Sequence, residues 1–154
     1  MLVYRLSKEE FCNDLSGRGA RDYGGRWNSK GYPVIYTSES RSLAAFELAV
    51  HLNLFLMPTK YMMVNINIPE EIDIESVDNK KLSAVWHTFP ANPITRKIGD
   101  DFIKENESLV LKVPSVVIPG DFNYLINPLH KDIKKVTIVN IEPFSYDNRI
   151  TGQK

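Results

Sequence analysis

Apolar residues recur along this chain with two different periods, and the switches between them outline its elements. Tyr61 to Ile68 alternates: Val64, Ile66 and Ile68 fall on one face and Asn65 and Asn67 on the other, until Pro69 stops the run. That pattern predicts a half-buried strand. Leu2 to Leu6 alternates more weakly and predicts a short opening strand. Val34-Ile35-Tyr36-Thr37 is a β-rich run ended by Ser38-Glu39-Ser40, and Lys135 to Ile141 alternates again. Leu109 to Val113 and Val116 to Ile118 read as strand runs interrupted by Pro114-Ser115.

The helical period appears twice. From about Ser40 to Leu56, with Ser38 or Ser40 as N-cap, the apolar residues Leu43, Phe46, Leu48, Val50, Leu52, Leu54 and Phe55 go nearly all the way round. Such a helix is expected to be buried. Glu47 falls inside that apolar surface and must be paired, protonated or used, because an uncompensated buried charge costs on the order of 3–5 kcal/mol. Ile94 to Asn106 predicts a short amphipathic helix through Ile98 and Phe102. Glu70 to Pro93 is irregular, with Trp86 as an expected anchor. Strands outnumber helices without alternating strictly with them, which favours a mixed α/β or α+β domain over a doubly wound sheet.

Composition narrows the function classes. A chain of 154 residues with no repeat, low-complexity tract or linker predicts one domain, residues 1–154, able to bury roughly 70% of its unfolded surface. Formal net charge is zero, so no global field draws the chain to nucleic acid or to an acidic membrane. The single cysteine, Cys12, excludes an internal disulfide and fits a reducing compartment. The opening residues are charged too soon for a signal peptide, and no apolar run approaches the roughly 20 residues that span a bilayer. A cytoplasmic protein is expected. His51, His87 and His130 lie far apart without metal-ligand spacing, so no metal is expected.

Five of the eight glycines lie between Gly17 and Gly31, interleaved with Arg18, Arg21 and Arg26. Glycine lets backbone N–H groups turn outward around an anion, and arginine adds a planar fork for phosphate. No dinucleotide-binding glycine fingerprint follows a predicted strand, and neither a phosphate loop nor a nucleophile elbow is present. Cys12 has no histidine nearby in sequence and reads as a small packed residue. An arginine, a tyrosine and a glutamate remain, with hydroxyl and amide groups. That set suits cleavage of a glycosidic bond to a cationic leaving group such as nicotinamide. The oxocarbenium-like transition state needs a carboxylate and a positioned ribose rather than a strong acid. Each residue also has a plainer reading. Arg26 can form a surface ion pair, Tyr36 can pack in a strand, and Ser115 and Asn127 can make turns beside their prolines. His51 and His130 read as structural hydrogen-bonders.

The order of motifs adds to this. Gly24-Gly25-Arg26-Trp27-Asn28, Gly31, Pro33-Val34-Ile35-Tyr36, Leu43-Ala44, Glu47 and His51 together resemble the start of a RES-domain protein. Val113-Pro114-Ser115, Asn123-Tyr124-Leu125-Ile126-Asn127-Pro128-Leu129-His130 and the closing Phe144 to Ile150 resemble its carboxyl half. Lys131 departs from the proline often found after that histidine. The resemblance implies an α+β domain of mixed, mainly antiparallel sheets with a few helices, similar to ADP-ribosyltransferase toxins. It implies a toxin–antitoxin toxin that degrades NAD by hydrolysis or phosphorolysis, or transfers ADP-ribose to a protein. NAD would be substrate, with no cofactor. The implied partner is an Xre-type helix-turn-helix antitoxin that blocks the site, with phosphate as a possible co-substrate.

Carried onto this chain, the family's Arg, Glu and Ser fall on Arg26, Glu47 and Ser115. Arg26 would clamp phosphate and Tyr36 would contact the nicotinamide end. Glu47 would hold the ribose, and Ser115 and Asn127 would complete the pocket, with Gly25, Trp27 and Asn28 at the substrate. A pocket meant to be plugged exposes apolar surface, so a homo-oligomer or a tight antitoxin complex is expected. A catalytically silent module that binds a partner through the same groove is the alternative of a different class.

Overall fold

The computed structural model describes residues 1–51, 60–78, 80 and 82–151. Its strands are β1 (Leu2–Lys8), β2 (Ile35–Ser38), β3 (Tyr61–Asn67), β4 (Ile74–Ser76), β5 (Val110–Pro114), β6 (Phe122–Ile126) and β7 (Thr137–Phe144). They form one sheet of seven strands in the order β4-β5-β6-β2-β1-β3-β7. Every neighbouring pair is antiparallel except β4 with β5. The helices are α1 (Arg18–Tyr23), α2 (Arg41–Ala49), α3 (Pro93–Glu105) and α4 (Asn148–Thr151). The domain is thus α+β, as the element count favours, and mainly antiparallel, as the family resemblance implies.

Side chains alternate across a strand, and directly partnered residues share a face, so the register divides the sheet into two cores. Ile35, Ile126 and Val110 are partners across β2, β6 and β5. They join Val3, Val64, Ile66 and Ile68 in one cluster, covered by Leu15, Ile72 and Ile133. The opposite face presents Leu111, Val113 and Leu125 to Trp27, Val34, Phe102 and Ile103. Both Trp27 and α3 therefore pack on this second face. Ser38 and Asn123 are partners on it too, two residues along from the partners Tyr36 and Leu125.

Strand β3 and helix α3 fall within a residue or two of the positions their periodicity predicts. Three expectations are corrected. First, α2 is not buried all round: Leu43 and Ala44 face the sheet, while Phe46 is 53% and Val50 59% exposed. A roll of apolar residues does not say which of them find a partner surface; here one face meets β1 and β2. The predicted continuation through Leu56 lies outside the described residues. Second, Val116 to Ile118 is a bend rather than a strand, because the Ser115 hydroxyl captures the Val117 and Ile118 N–H groups at 3.0 and 3.1 Å. Such local capture competes with ladder formation. Third, the stretch from Glu70 to Pro93 is not all irregular, because Ile74–Ser76 pairs with β5 as β4. The glycine-rich segment contains α1, preceded by Gly17 at φ 67° and ended by Gly24 at φ 73°. Only glycine accepts those angles without strain.

Candidate active site

Helix α2 starts because the Ser40 hydroxyl accepts the Leu43 N–H at 3.1 Å, satisfying one of the free donors of the first turn. Glu47 then falls one turn beyond Leu43 and Ala44, at the border of the buried face, and is half-buried. Its Oε1 accepts from two side chains, the Ser115 hydroxyl at 2.8 Å and the Asn123 amide at 2.5 Å. Each donor is held from behind. Ser115 Oγ accepts the two N–H groups just described, and Asn123 Oδ1 accepts the Ser38 hydroxyl at 2.7 Å. Among the described residues no hydrogen bond falls on Glu47 Oε2, and no cation pairs with this carboxylate. Of the three fates open to such a carboxylate, the structure shows pairing with neutral donors at one oxygen.

Arg26 is presented by a loop that is rigid for identifiable reasons. A Cβ on Gly25 would lie 2.6 Å from the Tyr36 hydroxyl and 2.9 Å from Asn28 Oδ1, so only glycine fits. Asn28 is fully buried, and its amide faces the carbonyls of Ala20, Ser29 and Tyr32. Tyr36 donates to Asn28 Oδ1 at 2.8 Å and accepts the Trp27 N–H at 3.0 Å. Burial pushes the Tyr36 hydroxyl well above the ordinary tyrosine value, which keeps it a neutral donor. Trp27 is buried and lies 6.1 Å from Trp86, ring centre to ring centre. The N–H groups of Gly24, Gly25 and Gly31 are engaged within the segment, on Ala20, Asn28 and Arg21. None of these three N–H groups is left free for an anion.

The Arg26 guanidinium is half-tethered. Nη1 donates to the Trp86 and Thr88 carbonyls at 3.0 and 3.2 Å, and Nη2 to Thr88 at 3.2 Å. One fork edge is thus turned to the backbone, and among the described residues the Nε–Nη2 edge keeps two donors with the spacing a phosphate takes. Partial burial lowers the basicity of Arg26, while the nearby charge of Glu47 raises it. Strand β2 is what sets the two halves side by side. Tyr36 holds the Arg26 loop and Ser38 holds Asn123, and residues two apart on one face of a strand are about 7 Å apart.

The structure thus brings together Arg26, Tyr36, Glu47 and Ser115, with Gly25, Trp27 and Asn28 shaping the loop. Asn127 it places elsewhere. At the far end of β6, its amide donates to Asn106 Oδ1 and its Oδ1 accepts the Leu129 N–H, both at 2.9 Å. His130 turns its Nδ1 to the Asp132 N–H in the same corner. Asn123 and Ser38 were not singled out as site residues. Asn123 opens the Asn-Tyr-Leu-Ile-Asn-Pro-Leu-His motif, and that is the signal in the sequence that points to it. A hollow of 440 Å³ between α3 and Ser29 includes Arg96, Lys97, Asp100 and Asp101 but none of Arg26, Tyr36, Glu47 or Ser115. Among the described residues no three His, Cys, Asp or Glu side chains gather as a metal would require, and no helix is long and apolar enough to cross a membrane.

Fold and site together define an α+β domain in which one carboxylate, fixed by neutral donors, sits beside a half-free guanidinium. The RES domain family model matches residues 2–147, and the chain belongs to the RES domain family. It is 36% identical over 141 residues to the Prs ADP-ribosylating toxin of Sphingobium sp. (strain YBL2), covering 90% of this chain and 88% of that protein. It is 34% identical to Toxin Res of Photorhabdus laumondii, over 100% of this chain and 99% of that one. Toxin Res of Yersinia enterocolitica is 33% identical over 97% of this chain and 99% of its own length. Among solved structures, a chain of the M. tuberculosis MbcT–MbcA toxin–antitoxin complex shares the fold at a TM-score of 0.74. Its identity is 16%, and the match covers 98% of this chain and 86% of that one.

Proposed function

We propose that this protein is the toxin of a toxin–antitoxin pair and that it cleaves the bond between ribose C1′ and the nicotinamide nitrogen of NAD. The observation that carries the reading is the asymmetry of Glu47: Oε1 takes two donors, and Oε2 takes none among the described residues. In the reaction the C1′–N bond breaks and its electron pair goes to the departing nicotinamide, which needs no protonation because it leaves from a pyridinium. Glu47 Oε2 accepts from the ribose hydroxyls and stabilises the positive charge that develops on the sugar. The free edge of Arg26 holds the pyrophosphate. The oxygen of water or phosphate then attacks C1′ and loses its proton to solvent, which gives hydrolysis or phosphorolysis.

A second reading is favoured by the name of the Sphingobium relative, an ADP-ribosylating toxin. In it the same oxocarbenium is captured by a protein side chain. Both readings include an antitoxin that covers the site. An Xre-type helix-turn-helix protein is the proposed partner, and the cytoplasm the proposed compartment. Neither reading needs a cofactor, since NAD is consumed.

The test is nicotinamide release from NAD by the purified, antitoxin-free protein. Glu47→Gln keeps an oxygen for Ser115 and Asn123, so it should fold normally while release falls by about 10²–10³-fold. Acceleration by phosphate identifies phosphorolysis, and a labelled protein band identifies transfer. Equal release by the wild type and by Glu47→Gln overturns the proposal.

A further inference from the structure

We propose that Asn123, backed by Ser38, is a positioning residue that holds the Glu47 carboxylate in one orientation, with one oxygen engaged and the other turned to the substrate. A carboxylate at the edge of a helix has two equivalent oxygens and a soft terminal torsion. Here that freedom is removed from outside the helix, by Ser115 just after β5 and by Asn123 on β6, both directed at Oε1.

The direction of the Asn123 amide follows from chemistry. A carboxylate only accepts, so the NH2 group must face Glu47 and the carbonyl must face Ser38, which donates at 2.7 Å. A flipped amide would set two acceptors 2.5 Å apart. The Ser38 hydroxyl opposes that flip by donating to the carbonyl. Ser38 is 4% and Asn123 9% exposed, so water is poorly placed to substitute for either. Ser38 is bonded to Asn123 rather than to Glu47, and its influence on the carboxylate runs through the amide. Ser38 also lies on the strand that holds the Arg26 loop through Tyr36, so the clamp ties the setting of the carboxylate to the strand that steadies that loop.

The kinetic part of this inference rests on the NAD-cleavage reading, so its test has a readout that needs no turnover. In the 1H–15N spectrum of the full chain, the Asn123 side-chain NH2 pair is expected to be widely split, with one proton bound to a carboxylate. Glu47→Ala should collapse that splitting, and Ser38→Ala should shift or double the signals as the amide gains a second orientation. Signals that stay unchanged in both variants overturn the clamp. If the wild type releases no nicotinamide, the functional reading falls and this spectrum alone decides the clamp.

Where release is measured, Asn123→Ala should lower kcat by about 10–100-fold with little change in KM, the mark of a misplaced group rather than lost binding. Ser38→Ala should lose less, and should add nothing in the Asn123→Ala background. Asn123→Asp has the same shape but sets a second carboxylate against Glu47. The repulsion between them should lower activity at least as far as Asn123→Ala does. A raised KM at constant kcat in Asn123→Ala, or an undiminished Ser38→Ala effect in the double variant, overturns the proposal.

Discussion

Gly99 is the position where fold and site are most directly coupled. It lies inside α3, where glycine is normally unfavourable by about 1 kcal/mol relative to alanine. Yet a Cβ there would lie 1.6 Å from the Trp27 carbonyl oxygen and 2.7 Å from its carbon. An ordinary carbon–oxygen contact is about 3.3 Å, so α3 must back away from the loop by roughly 1.5 Å or more. The neighbour is backbone, and no rotamer relieves the overlap. The helix is also tied to that loop by Thr95 Oγ1 donating to the Arg26 carbonyl and by the Ser29 N–H donating to Asp100, both at 2.8 Å. Overpacking costs about 1–3 kcal/mol where side chains can adjust, and each strained hydrogen bond adds about 1 kcal/mol. Set against the propensity gain, Gly99→Ala should destabilise by about 3 kcal/mol. For a chain of this size that lowers Tm by roughly 6–12 °C. Gly19 in α1 is the control, since a Cβ there meets nothing within 4 Å. Gly19→Ala should be neutral or stabilising by up to about 1 kcal/mol. Scanning calorimetry with urea midpoints measures both. A Gly99→Ala protein as stable as the wild type, or less affected than Gly19→Ala, would refute the claim that α3 is seated on the Trp27 backbone.

Two further outcomes follow from the site. Arg26→Lys replaces a fork by a point charge, which cannot hold the Thr88 carbonyl and an anion at once. The KM for NAD should rise by about tenfold or more with a smaller change in kcat, and an unchanged KM would remove Arg26 from phosphate binding. Tyr36 binds its proton more tightly folded than unfolded. Its contribution is therefore complete below the unfolded value near pH 10 and is lost as pH rises beyond it, by up to about 1.4 kcal/mol per pH unit. Tyr36→Phe should be less stable at neutral pH and should lose stability less steeply above pH 10. Parallel curves for the two proteins would place the tyrosine proton outside this linkage.

Much of the architecture was legible along the chain. Val64, Ile66 and Ile68 mark β3 because one face of that strand is core and the other is not. The spacing of Ile98 and Phe102 marks α3 in the same way. Strand β6 was not marked, because Phe122 to Ile126 sits in mid-sheet with Tyr124 and Ile126 in one core and Leu125 facing the other. A strand covered on both faces shows no alternation. Helix α2 misled for the opposite reason: its apolar residues are real, but Phe46 and Val50 have no sheet beneath them. At the site, Arg26, Glu47 and Ser115 were expected, whereas Asn123 and Ser38 are ordinary polar residues until β2 and β6 pair.

The sequence by itself determined what depends on local chemistry. It set the periods that make strands and helices, the glycines that permit positive φ or close contact without strain, and a charge balance with no long-range pull. Tertiary structure alone decided that Ser115 and Asn123, 68 and 76 residues from Glu47, meet on a single oxygen of it. Hydrogen-bond direction across paired strands depends on register and face. Neither leaves a trace in the neighbours of a residue along the chain.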